Sequence, residues 1–197
     1  MGEAGERFRA AMARIDAANG EDPNREVVGG VEQPEELVYA RRMSAWLERL
    51  APDASEALRL AARAQHIRRW SIPRRDYPMD RAGYHRWRST LYRFHAEAAG
   101  VILADVGYDA ATIAGVQALI RKEKVKSDPE MQTLEDVVCL VFLENYFTDF
   151  SAKHDAAKVV EIVRKTWRKM SPRGQQAASG LPLPPAARSL VEQALAS

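Results

Sequence analysis

Three ionisable residues stand where helical periodicity calls for apolar ones: His66, His95 and Asp136. At spacings of three and four, His95 lines up with Leu91, Ala98, Ala99 and Ile102, and Asp136 with Leu140, Leu143 and Phe147. An unpaired carboxylate taken out of water costs on the order of several kcal/mol, so Asp136 is expected to meet a histidine, an arginine or a metal. Two imidazoles and a carboxylate make a tripod for a divalent ion, Zn²⁺, Mn²⁺ or Fe²⁺, that leaves positions for water and substrate. The ion would lower the pKa of its water, Asp136 would orient that water, and Glu97 or Glu135 would assist as a base. Arg63, Arg69 or Arg74 would bind the anionic group. The plainer alternative makes each histidine a satisfied core or cleft residue and Asp136 an acceptor of hydrogen bonds or the partner of an arginine.

A second signal runs from Arg63 to Arg93, where nine arginines face only two acids, Asp76 and Asp80. Guanidinium forks match phosphate oxygens, and Trp70, Tyr77, Tyr84, Trp87 and Tyr92 are interleaved with them as stacking surfaces. An anionic small molecule, RNA or an acidic partner fits such a segment. The competing reading is a set of solvated helix faces with ion pairs to Asp128, Glu130, Glu144 or Asp149. His85 and His154 read as surface residues. The only cysteine, Cys139, lies in an apolar run, which excludes an intramolecular disulfide and gives a thiol with a raised pKa and little access. No phosphate-cradling glycine loop, Gly-x-Ser-x-Gly elbow or His-Glu-x-x-His motif occurs.

The elements that must carry these residues are helices. With 197 residues, 46% hydrophobic and 28% charged, the chain is expected to be one all-α domain of about eight helices. No alternating strand pattern between hairpin-type turns stands out. A first helix is expected over Glu3 to Ala18, with a loop through Gly29-Gly30. Pro34-Glu35-Glu36 opens a second helix that ends before Pro52. Asp53-Ala54-Ser55-Glu56 reads as a capping box for a helix from Ser55 to Trp70. Asp80 begins a long helix to about Val106, and Asp109 another to about Glu123. Ser127-Asp128-Pro129-Glu130 reads as a further capping box, for a helix whose centre is apolar on nearly every side. Ser151 is expected to cap a helix from Ala152 to Met170, and Ser171-Pro172 starts a short one. Leu181 to Pro185 then links to a terminal helix. Residues 1–33 thus form an N-terminal helix and loop, 34–180 the core, and 181–197 a C-terminal linker and helix. No run is long and apolar enough to span a bilayer, and the mixed-charge N-terminus lacks a secretory pattern, so a cytoplasmic protein is expected.

Gln65-His66-Ile67-Arg68-Arg69-Trp70, Ile72-Pro73-Arg74, Tyr77-Pro78, Gly83-Tyr84, Trp87-Arg88 and His95 together resemble the domain-of-unknown-function family 4202. Lys122-Glu123-Lys124, Thr133 to Val137, Lys153-His154 and Lys165 to Ser171 extend that resemblance over nearly the whole chain. More distantly, the order of elements is similar to the HD superfamily, helical metal-dependent phosphohydrolases whose ligands run His, adjacent His-Asp, and distal Asp. The helix through His66, the segment around His95 and Leu134-Glu135-Asp136 look like its ligand-bearing parts. Ile67 stands where the paired Asp would be, and Tyr39 where the first His would be. The resemblance implies an HD-like core in which His66, His95 and Asp136 form a rearranged site, or which kept an anion pocket lined by Tyr39 and the arginines. Two functions follow: a divalent-metal-dependent phosphohydrolase acting on a phosphorylated or nucleotide-like substrate, or a non-catalytic module binding RNA, nucleotide or an acidic partner through residues 63–93.

Overall fold

A side-chain oxygen at the start of most helices sets where the chain turns. The computed structural model describes residues 2–123 and 128–196. Helix α1 spans Glu3–Gly20, and a hairpin of β1 (Arg25–Val28) and β2 (Val31–Pro34) leads into α2 (Glu35–Leu50). The short α3 (Glu56–Arg63) is capped by Ser55, whose Oγ accepts from the Leu58 amide at 3.1 Å. Two single 3₁₀ turns, Arg69–Ser71 and Arg74–Asp76, lead to the long α4 (Arg81–Asp105), capped by Asp80. Asp109 caps α5 (Ala110–Ile120), and α6 (Pro129–Asn145) follows. Last come α7 (Phe147–Ala152), α8 (Ala156–Lys169), α9 (Pro172–Ser179) and α10 (Pro185–Leu195). The chain is all-α apart from its two-stranded sheet.

Four expectations need correction. The described residues hold ten α-helices against the roughly eight expected; among them residues 147–152 form a separate helix, and Asp155, not Ser151, caps the one that follows. The Ser151 hydroxyl instead donates to the Thr148 carbonyl at 2.8 Å, inside α7. The supposed loop around Gly29-Gly30 is an antiparallel hairpin in which Val28 pairs with Val31. Both glycines take φ values of +60° and +81°, which a two-residue hairpin loop of this hand demands. The helix expected from Ser55 to Trp70 stops at Arg63: past Ala64 the Gln65 and Ile67 amides bond back three residues rather than four, and Arg68 then takes φ +52° ahead of the first 3₁₀ turn. At α6, Asp128 accepts from the Glu130 and Met131 amides and is the cap, while Ser127 lies outside the described residues.

Helix α6 is the axis of the core, packed against α2, α3, α5, α8 and α9. Leu134, Val137, Leu140 and Val141 are fully buried on it, so its apolar run has protein on most sides. Helix α4 packs along α5, with Ala96, Ala99 and Leu103 buried, and its N-terminal half extends beyond that contact. The space between this half of α4, the start of α2, and the cleft side of α6 is where the ionisable residues gather.

Candidate functional site

Early termination of α3 creates the site. Once the helix ends, the Ile67 carbonyl has no helical partner and accepts a hydrogen bond from His95 Nδ1 on α4 at 2.8 Å. A carbonyl can only accept, so His95 carries its proton on Nδ1 and presents Nε2 as a bare lone pair. His95 is 1% exposed, and its Nε2 is buried with no partner among the described residues. Burial, then the neighbouring His66, push its pKa down to about 3, so the ring is neutral at any physiological pH.

His66 sits 5.9 Å from His95, ring centre to ring centre, and its other face stacks on Tyr39 at 3.9 Å with planes 9° apart. Its Nδ1 lies 3.4 Å from Glu36 Oε2. Burial, reinforced by Arg69, Lys122 and Arg88, holds His66 well below the ordinary histidine range. Glu36 is pushed the opposite way: burial, only partly offset by Arg69, raises it to about 7. At neutral pH Glu36 is divided between acid and carboxylate, able to give or take a proton at the cleft wall. Arg69 Nη1 lies 3.6 Å from the other Glu36 oxygen, and its guanidinium also lies over the Trp87 ring.

Cations line the continuation of this cleft. A lobe of about 540 Å³ opens between Arg88 and Tyr92 of α4, Lys122 after α5, Glu135 of α6, and Arg168 and Lys169 of α8. It joins a chamber of about 140 Å³ under Arg69, Arg88 and Lys122 that reaches His66, His95 and Gln65. A third lobe, of about 420 Å³, runs past Tyr39, Glu36, Phe142 and Tyr146. Lys122 is 12% exposed and its Nζ lies 2.5 Å from Glu135 Oε2. Burial alone would raise the Glu135 carboxyl, but Lys122, helped by Lys169 and Arg88, holds it below its ordinary value. Arg88 bonds to the hydroxyls of Tyr84 and Tyr92 and, among the described residues, has no carboxylate partner.

The structure brings together His66, His95, Tyr39, Arg69 and Glu135 of the residues singled out from sequence. Arg74 and Trp70 line an adjoining cavity, where Arg74 bonds to the carbonyls of Tyr77 and Asp80. Arg63 is elsewhere, forked onto Asp16 with two contacts of 2.6 Å that tie α3 to α1. Glu97 is exposed on α4 and lines none of these cavities.

Asp136 is not brought to the imidazoles. On α6 it lies about 200° around the helix from Val138, which faces the chamber. Its carboxylate accepts from Gln132 Nε2 at 3.0 Å, from the Ser171 amide at 2.8 Å, and from Ser171 Oγ at 2.5 Å. Those bonds anchor the start of α9, whose Gly174 packs so closely that a Cβ there would stand 2.7 Å from the Asp136 carboxyl carbon. Among the described residues no group of three His, Cys, Asp or Glu side chains converges as metal ligands. The His66, His95 and Asp136 set therefore does not fit a shared ion.

Sequence reasoning passed over Arg88, Lys122, Glu36 and Gln65. Glu36 reads as an ordinary first-turn acid of α2, and Arg88 is one of nine arginines with nothing local to mark it. Lys122 was equally unmarked, because it takes the left-handed position after α5, at φ +58°, where a glycine would have been the visible signal. Of the surface readings, His85 is exposed as expected but rims the cationic lobe, while His154 stacks on Phe150 at 4.1 Å. Cys139 is a buried thiol whose pKa burial pushes up to about 12.

The sequence pattern of the family described as Domain of unknown function (DUF4202) matches residues 9–191 of the chain. No curated protein and no solved structure matches it.

Proposed function

Because the chain belongs to the DUF4202 family, described only as a domain of unknown function, we propose its function from the cleft: it binds a phosphorylated small molecule, with Arg88 as the principal anion-binding group. The observation that carries this reading is the Arg88 guanidinium, half-buried in a concave site and, among the described residues, bonded to tyrosine hydroxyls rather than to a carboxylate. Lys122 and Arg69 stand on either side of the same chamber. A desolvated guanidinium without a carboxylate is the group for which a bidentate phosphate is the matching partner. The lobes, of about 420 and 540 Å³, fall in the range of small-molecule pockets. A small ligand suits that concavity better than RNA or an acidic protein, which would follow the convex face of the basic segment.

The electrostatics favour an anion over a divalent cation. Arg69, Lys122 and Arg88, which depress the pKa of His66, would repel a metal placed on the same imidazoles. Calorimetric titration of the full chain with inorganic phosphate and with phosphomonoesters tests the proposal. Replacing Arg88 by Met is expected to weaken binding roughly ten- to a hundredfold, since a charge-assisted hydrogen bond contributes about 1.5–3 kcal/mol. Unchanged affinity in that variant overturns it. So does a stoichiometric metal that is lost in His95→Ala, which would restore the divalent-metal-dependent phosphohydrolase reading.

A further inference from the structure

The floor of the small chamber holds two buried acceptors that have no partner among the described residues. One is His95 Nε2, whose role as acceptor is fixed by the Nδ1–Ile67 bond. The other is Gln65 Oε1, on a residue 2% exposed. Both residues line the chamber of about 140 Å³ that also receives Arg69, Arg88 and Lys122. Native proteins seldom leave buried polar atoms unpaired, and the exceptions concentrate where a ligand or ordered water completes them. Here two acceptors lie under a ring of cations.

From this we infer that the ligand of the cleft is a hydroxyl-bearing phosphomonoester, a polyol or sugar phosphate, whose hydroxyls donate to His95 Nε2 and Gln65 Oε1 while its phosphate lies on Arg88 and Lys122. The inference rests on the anion-binding reading above and adds the chemistry of the ligand's other end. A fully ionised phosphate has only acceptors and cannot satisfy a histidine lone pair and an amide oxygen. The donor must therefore come from elsewhere on the ligand. An ammonium donor is excluded by the three cations around the chamber, which leaves a neutral donor, and hydroxyl is the one that phosphomonoesters commonly carry. The chamber, at about 140 Å³, has room for several heavy atoms, given about 30 Å³ per liquid water.

Two probes that differ only in hydroxyls separate the possibilities: glycerol 3-phosphate and n-propyl phosphate, each titrated calorimetrically into the full chain. Glycerol 3-phosphate is expected to bind at least about tenfold more tightly, because a site built to receive donors discriminates against the analogue that lacks them. In Gln65→Met and, separately, in His95→Phe the ratio between the two probes is expected to fall toward one. Gln65 is the variant to rely on if the loss of His95 prevents folding. Equal affinity of the wild-type protein for both probes overturns the inference and leaves the anion reading standing, with water as the partner of both acceptors. Binding of neither probe overturns both.

Discussion

Two buried polar sites lie on opposite sides of α6, and they differ in what they leave undone. On one side the Asp136 carboxylate accepts three hydrogen bonds and abuts Gly174. On the other, among the described residues, His95 and Gln65 each bury an acceptor without a partner, and Arg88 bonds to no carboxylate. All three of His95, Gln65 and Asp136 are at most 2% exposed. Burial of a polar group therefore does not distinguish a structural site from a functional one here. Satisfaction does. Asp136 exchanges its hydration for bonds that fold α9 onto α6, whereas the cleft groups have given up water without a protein partner in return.

The sharpest way to break that contrast is Asp136→Ala. It leaves the Ser171 amide and hydroxyl without their acceptor and opens a cavity under α9. The expected loss is about 3–4 kcal/mol, a fall in Tm on the order of 10 °C for a chain of this size, read by chemical and thermal denaturation. Phosphate binding by the remaining folded fraction is expected to persist. A variant that folds normally but no longer binds would move Asp136 into the functional site. Gly174→Ala attacks the same contact from the other helix. The added Cβ would lie 2.7–3.0 Å from three atoms of the Asp136 carboxyl group, so α9 must shift. A destabilisation of about 2–3 kcal/mol is expected, again without effect on the cleft.

How far the sequence foretold this follows from which interactions are local. Helix starts at Ser55, Asp80, Asp109 and Ser171 were legible because a cap and its amide lie three residues apart. The central position of α6 was legible from apolar residues on nearly every side. The hairpin was not: Arg25-Glu26-Val27-Val28 lacks a clean alternation, although Gly29-Gly30 was the turn signal to weigh more heavily. The end of α3 was hidden because no glycine or proline follows Arg63 before Trp70, and the left-handed turn further on falls to Arg68, whose amide meets Asn19 Oδ1 at 3.2 Å. At the site, His66 and His95 were found by polarity on an apolar face, and the same test picked Asp136, which serves another purpose. Arg88 and Glu36 had no local mark, since their importance lies in partners far away in sequence or missing altogether.

pH sharpens the comparison, because the cleft titrates. His95 falls from 6.5 to about 3 on folding, so the unfolded chain binds a proton there that the folded chain refuses. Stability from His95 is present above about 6.5 and is lost as pH falls toward 3, and the lowered His66 acts in the same direction. Glu36 works in the opposite sense. Its folded value of about 7 against 4.5 gives stability present below 4.5 and lost as pH rises through about 7. Glu36→Gln removes the second effect alone. Relative to wild type, the variant is expected to gain about 3 kcal/mol between pH 4.5 and 8, measured by urea midpoints across that range. A constant difference between the two proteins would mean that Glu36 is ionised throughout and that Arg69 pairs with it more strongly than their 3.6 Å separation implies.

The smallest stability change is expected where the cleft's strain and its charge coincide. Lys122 closes α5 in the Schellman pattern, with its own amide bonded to the Leu119 carbonyl and the Glu123 amide to that of Ala118. A lysine at φ +58° costs about 1 kcal/mol relative to glycine, so the position is occupied against backbone preference. Lys122→Gly relieves that strain but strips Glu135 of its closest ion pair, leaving, among the described residues, Lys169 at 3.9 Å and the more distant Arg88. The two effects oppose each other at a similar size, and the net change in stability is expected within about 1 kcal/mol of zero. Phosphate affinity should nevertheless fall severalfold, since a cation of the chamber is gone and the Glu135 carboxylate is uncovered. A loss of stability with full retention of binding would instead make Lys122 a structural partner of Glu135, and would place that pair with Asp136 on the satisfied side of α6.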